Sequence, residues 1–175
     1  MSEYILITSL CEQSDDSIES IYEAVQSCDC SVVETKSQSR FGGQSHMLYV
    51  SGNWNALAKL ENQLTRIQSD NNKMHWCRTD AEEKSSIPYI IEGIGLNQIE
   101  VLIQLHIFLR MRNIHIVSFN WTTRNAIGSH ETLVHINSLV HVPLDLRLSL
   151  LREEFLDFID QFNLDAILEP VKITN

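Results

Sequence analysis

Two stretches of this chain combine residue types and spacing that could recognise a small molecule. The first is Ser14, Asp15 and Asp16, after the apolar run YILITSL, with Ser17, which opens the amphipathic segment SIESIYEAVQS. The second is Gly93, Ile94, Gly95, Leu96 and Asn97, between PYIIE and QIEVLIQLHIFLRM. Each reads as a passage from a strand into a helix. A helix start presents unpaired N–H groups and partial positive charge, which attract a carboxylate. The adjacent carboxylates of Asp15 and Asp16 repel such a ligand, so they read first as helix caps, with a cation or amine contact as the alternative. Gly93 and Gly95 allow close backbone approach and Asn97 is a neutral cap, which makes the second junction the better pocket. The expected ligand-binding set is therefore Gly93, Gly95, Leu96 and Asn97, with Ser14, Asp15, Asp16 and Ser17.

Other reactive types do not assemble into a catalytic or metal motif. His135 and His141 are six residues apart on one strand, about 20 Å by strand rise, so with His130 they do not surround one ion. His106 and His115 lie on or just after a helix with no acidic or cysteine partner at ligand spacing. Cys11, Cys28, Cys30 and Cys77 lack CxxC spacing and read as reduced, mostly buried thiols. Cys28 and Cys30 alternate along an extended chain, which turns them to opposite sides and argues against a redox pair. There is no GxSxG, P-loop, GxGxxG after a strand, or HExxH. No catalytic residue, metal or cofactor is expected, and the chain does not read as an enzyme.

Composition narrows the partners. Thirteen Lys and Arg stand against 23 Asp and Glu, a net charge of −10, with the acidic excess in both halves. Binding to nucleic acid draws on phosphate neutralisation, so direct DNA or RNA contact is disfavoured. Trp54, Trp76 and Trp121 are scattered over different elements rather than forming a base-stacking platform. MSEYILITSL lacks the basic segment of a signal peptide, and no apolar run approaches the roughly 20 residues of a membrane span. A cytoplasmic protein is expected.

The elements that must position these residues follow from periodicity. Tyr4 to Leu10 is apolar on both faces, as for a central strand. Ile18, Ile21, Tyr22 and Val25 mark one face of a helix, and Leu57, Leu60, Leu64 and Ile67 mark another behind a cap at Asn53. Gly42 and Gly43 between CSVVETKSQSR and SHMLYVSG signal a hairpin. With KMHWCRT as a fourth strand, the order is βαββαβ, the ferredoxin-like unit of two helices on one face of a four-stranded antiparallel sheet. The order recurs after AEEKSS, where Tyr89 follows Tyr4 by 85 residues. The expected organisation is a first domain over 1–80, a linker over 81–88 and a second domain over 89–175. Pro170 falls in a fourth strand, an edge in the 4-1-3-2 order, where its missing N–H is tolerated. The second copy is apolar around much of its first helix, which suggests an interdomain or homodimer interface.

With YILITSLCEQSDDSIESIYEAVQSCDCSVVETKSQSRFGG followed by MLYVSGNWNALAKLENQL, the chain resembles the glycine cleavage system transcriptional repressor family, bacterial proteins of paired ACT domains. The resemblance covers nearly the whole chain. It is most specific where LITSL, SCDCSVVETK and SGNWNALAKLE stand at the family's first strand, first helix end and second helix start. It implies regulation: ACT domains generally sense small ligands, often amino acids. The family is thought to restrain a DNA-binding transcription activator by contacting it. The partners implied are an activator protein and glycine or another small amino acid. Two alternatives stay open, a ligand-free adaptor and the regulatory subunit of an amino-acid metabolic enzyme.

Overall fold

The structure, a computed structural model, describes residues 3–12, 17–79, 86–96, 98–125 and 131–171. The chain divides into two units, Met1–Glu82 and Glu83–Asn175.

In the first unit the elements are β1 (Glu3–Glu12), α1 (Ser17–Ser27), β2 (Ser31–Arg40), β3 (Gly43–Gly52), α2 (Trp54–Ile67) and β4 (Asn72–Thr79). The antiparallel sheet has the order β2-β3-β1-β4. In β1 the residues Ile5, Ile7, Ser9 and Cys11 are buried, whereas Tyr4, Leu6 and Thr8 on the other face are half-buried. The helices close the first face. Ile21, Ala24 and Val25 of α1 and Leu57, Leu60 and Leu64 of α2 pack with Ile5, Ile7, Leu48 and Val50. Each fully buried Leu or Ile contributes about 1.5–3 kcal/mol. Asn53 starts α2 as expected, its Oδ1 accepting from the Ala56 N–H at 2.9 Å.

In the second unit β5 (Ser86–Leu96), α3 (Ile99–Met111), β6 (His115–Asn125), β7 (Thr132–Pro143), α4 (Leu148–Gln161) and β8 (Asp165–Pro170) repeat the plan. The order is β6-β7-β5-β8, so Pro170 ends an edge strand opposite Tyr89. Phe108, Phe155 and Phe158 fill the core between the helices and the sheet, with ring centroids 5.2–6.3 Å apart. Two sequence expectations change here. Residues 86–88 do not belong to a linker: Ser86, Ile87 and Pro88 open β5, paired with Pro143, Val142 and His141. The 85-residue offset also fails on strand parity, because Tyr4 lies on the open face and Tyr89 on the buried one.

An offset of 84 residues satisfies the geometry at three independent places. The buried pair Ile5 and Ile7 matches Tyr89 and Ile91. A β-bulge falls between Val32 and Glu34 in β2 and between Ile116 and Ser118 in β6. Two residues past the end of α1 stands Asp29 (φ 55°) and two past the end of α3 stands Asn113 (φ 54°), both in the left-handed region that Asp and Asn tolerate. At both ends a paired cap closes the helix: Cys30 N–H donates to Val25 O at 3.1 Å and Ile114 N–H to Leu109 O at 3.0 Å.

Candidate functional site

The glycines of the second junction are strand residues rather than loop residues. Gly93 pairs with Ile136 and Ala166, Gly95 with Val134, and Leu96 with Leu133. Both glycines face the helices. A Cβ on Gly93 would lie 2.6 Å from the Ala166 Cβ and 3.2 Å from the Asp165 carbonyl oxygen. One on Gly95 would lie 2.5 Å from Leu164 Cδ2. The space that these glycines keep clear is thus occupied by β8 and by the residue before it. Asn97 lies outside the described residues; Gln98 stands at the N-cap of α3 and makes no side-chain cap hydrogen bond. Ser14, Asp15 and Asp16 also lie outside the described residues, and Ser17 is the first residue of α1.

The equivalent end of the first unit is polar. At the 84-residue offset Ser9 and Cys11 replace Gly93 and Gly95. Opposite Ser9 stand His46 and Met74; opposite Cys11 stand Gln44 and Asn72. Ser9 Oγ donates to Asn72 Oδ1 at 2.7 Å, and both residues are buried. The Asn72 N–H donates to Ser69 Oγ at 3.2 Å. Ser37 Oγ lies 2.7 Å from His46 Nδ1. His46 is only 7% exposed, and its Nε2 has no hydrogen-bond partner. Burial lowers its pKa below the ordinary 6.5, because the charged ring loses hydration there, so the imidazole is neutral at pH 7. Register places Trp121 and Ile136 in the second unit where Ser37 and His46 stand in the first. The two ends have diverged, one filled with apolar side chains and the other carrying hydroxyl, amide and imidazole groups.

His46 was not singled out in the sequence, yet the signal was present. In SHMLYV the inward positions are His46, Leu48 and Val50, so a strand with an apolar inner face carries an imidazole on that face.

A second concavity lies within the second unit. A cleft of about 360 Å³ between the end of α3 and the start of α4 is lined by residues that include Met111, Arg112, Leu146, Arg147, Leu150 and Glu154. Two of its lining residues, Arg112 and Glu154, are tied to each other. Arg112 Nε donates to Glu154 Oε2 at 2.6 Å, Nη1 donates to the Phe108 carbonyl at 2.9 Å, and the guanidinium lies 3.7 Å from the Phe108 ring. In the first unit Arg78 bridges Glu3 and Glu61 and lies 5.4 Å over exposed Trp54.

All four cysteines are free thiols, Cys11 and Cys28 buried, Cys30 intermediate and Cys77 exposed. Burial, with Cys28 and Asp29 nearby, raises the Cys30 pKa, which disfavours a reactive thiolate. Among the described residues no group of three or more His, Cys, Asp or Glu could hold a metal ion. Nor is any described helix long and apolar enough to cross a membrane.

No protein-family model and no curated protein matches the sequence. Solved structures do match. A protein of unknown function from Galdieria sulphuraria superposes with a TM-score of 0.76 at 16% identity, covering 98% of this chain and 100% of that one. A protein described as a glycine cleavage system transcriptional repressor superposes with a TM-score of 0.73 at 14% identity, over 99% of each chain. The fold shared with these structures is two tandem ferredoxin-like βαββαβ units. At these identities the likeness resides in the backbone plan. Within that plan, the sheet ends next to α1 and α3 carry different chemistry in this chain's two copies.

Proposed function

We propose that this chain is a cytoplasmic regulatory protein that contacts a transcription activator, with the contact controlled by glycine or another small amino acid. The observation that carries the ligand half is the buried His46 Nε2, unpaired beside the Ser9–Asn72 hydrogen bond. An unpaired buried polar atom costs about 1–3 kcal/mol, and an occupant that hydrogen-bonds it recovers that energy. The polar end of β1 leads into the start of α1, whose N–H groups favour a carboxylate. Asp15 and Asp16, in the intervening stretch, suit an ammonium group. A small amino acid presents both charges. Binding there shifts the population able to engage the partner by no more than the ligand's preference for that state, typically 1–3 kcal/mol for a coupled pair of sites.

Isothermal titration with glycine and the other common amino acids tests the proposal. Expected is binding to the unaltered chain and its loss in His46→Gln. Absence of heat at millimolar amino acid removes the ligand half and leaves an adaptor that engages its partner constitutively. That second reading is favoured by the filled Gly93–Gly95 end of the second unit. Affinity purification separates the remaining classes: a recovered transcription activator supports the repressor-like role, and a recovered catalytic chain supports a regulatory subunit of an amino-acid enzyme.

A further inference from the structure

In the β6–β7 register His115 stands directly opposite His141, although 26 positions separate them in the chain. Residues opposite one another on antiparallel strands project from the same face with Cβ atoms about 4.5–5.5 Å apart. Here that face is the one away from the helices, because the next pair in the ladder, Ile116 and Val140, belongs to the core side. His115 is exposed and His141 half-buried. Among the described residues neither imidazole makes a hydrogen bond or an ion pair. We propose that His115 and His141 form a two-imidazole site for a divalent transition metal ion of the copper, nickel and zinc group.

Imidazole nitrogen suits these borderline ions, with metal–nitrogen bonds of about 2.0–2.1 Å for zinc. Both ligands sit on paired strands, so the backbone already holds them at a separation from which two rings can converge on one ion. The remaining coordination positions go to water. The affinity order rises to Cu²⁺ as the tightest of the group. The acidic chain, at net charge −10, adds a field that gathers cations near the surface. The first unit supplies a built-in control: the equivalent cross-strand pair there is Ser31 and Ser51, which offers no such ligands. His135 pairs with Thr122 instead, and lies about 20 Å along β7 from His141. It belongs to no such pair.

The test is titration of the full chain with CuCl₂, NiCl₂ and ZnCl₂ by calorimetry, with electron paramagnetic resonance of the Cu²⁺ form. One tight ion per chain and coupling to two imidazole nitrogens are expected. His115→Asn and His141→Asn each weaken binding by on the order of a hundredfold, because a second tethered ligand contributes effective concentration. The double variant then binds about as poorly as either single one, and His135→Asn binds like the parent. Circular dichroism of each variant checks that the fold is kept. Restoring a pair by Ser31→His with Ser51→His, in the chain lacking both second-unit histidines, brings binding back. Absence of binding in the parent chain, or binding that survives either single substitution at 115 or 141, overturns the site.

Discussion

Gly93 is the residue at which a packing role and a ligand role predict opposite results. In Gly93→Ala the new Cβ would come within 2.6 Å of the Ala166 Cβ, an atom attached directly to the β8 backbone with no rotamer to swing away. The Asp165 carbonyl at 3.2 Å and the Ala166 Cα at 3.3 Å add to the crowding. Overpacking of this kind costs about 1–3 kcal/mol. Loss of glycine's freedom in the unfolded chain returns about 0.4–1 kcal/mol. The net expectation is a destabilisation of about 1–2 kcal/mol. At about 4–8 °C per kcal/mol for a unit of this size, the second unit's transition falls by roughly 5–15 °C. Calorimetry gives the shift, and hydrogen exchange at Ile91 and Leu168 assigns it to the sheet concerned. Adding Ala166→Gly removes the closest contact and leaves the two at 3.2 and 3.3 Å, so it restores part of the loss, with a coupling energy above about 0.5 kcal/mol. A glycine kept only for ligand approach behaves otherwise: Gly93→Ala then leaves the unliganded protein as stable or slightly more stable and lowers amino-acid affinity. A Gly93→Ala chain that melts at or above the parent temperature refutes the packing account.

Other expectations concern the first unit and the helix ends. Because the native pKa of His46 is lowered, the native state binds fewer protons than the unfolded state below about pH 6.5. The stability due to this residue is therefore complete above that pH and declines as the pH falls through 6.5 towards the native value. Urea midpoints at pH 7.5 and 5.5 differ less in His46→Gln than in the parent chain if this holds. Asn53→Ala removes the α2 cap and costs about 1 kcal/mol by urea denaturation. Phe41 occupies the left-handed region (φ 54°) at the fully exposed tip of the β2–β3 hairpin, so Phe41→Asn raises stability by about 1 kcal/mol. An unchanged midpoint contradicts that strain. Asp15→Asn with Asp16→Asn keeps the fold, since Asn caps comparably; loss of partner binding in that folded variant identifies the charge as a contact surface.

The plan of the fold was legible because its signals are local. Leu57, Leu60 and Leu64 recur at helical spacing behind Asn53, and all three are buried. The hairpin signal at Gly42 and Gly43 was also sound, although the turn itself is Phe41–Gly42 and Gly43 already belongs to β3. Pro170 ends an edge strand for the reason its chemistry requires. What the sequence concealed depends on partners distant in the chain. Gly93 and Gly95 resemble loop glycines until β8, 70 positions later, is known to press against them. His115 acquires His141 only through the register of β6 on β7. Parity was equally hidden. Val117 follows Ile116 as if the strand simply continued, whereas the bulge there switches the inward set from Ile116 to Phe119 and Trp121.

That bulge, present at the same point of both copies, governs how either sheet could grow. β2 and β6 are outer strands, and a bulge leaves one residue unpaired and sharpens the local twist. A guest strand laid along β2 therefore meets an uninterrupted row of backbone donors and acceptors only from Glu34 to Arg40, about 23 Å at 3.3 Å per residue. On the opposite rim of the second sheet, Pro170 withholds the donor that would begin another ladder. Each sheet can thus accept a short strand from a specific partner while resisting the open-ended stacking to which long, flat rims are prone.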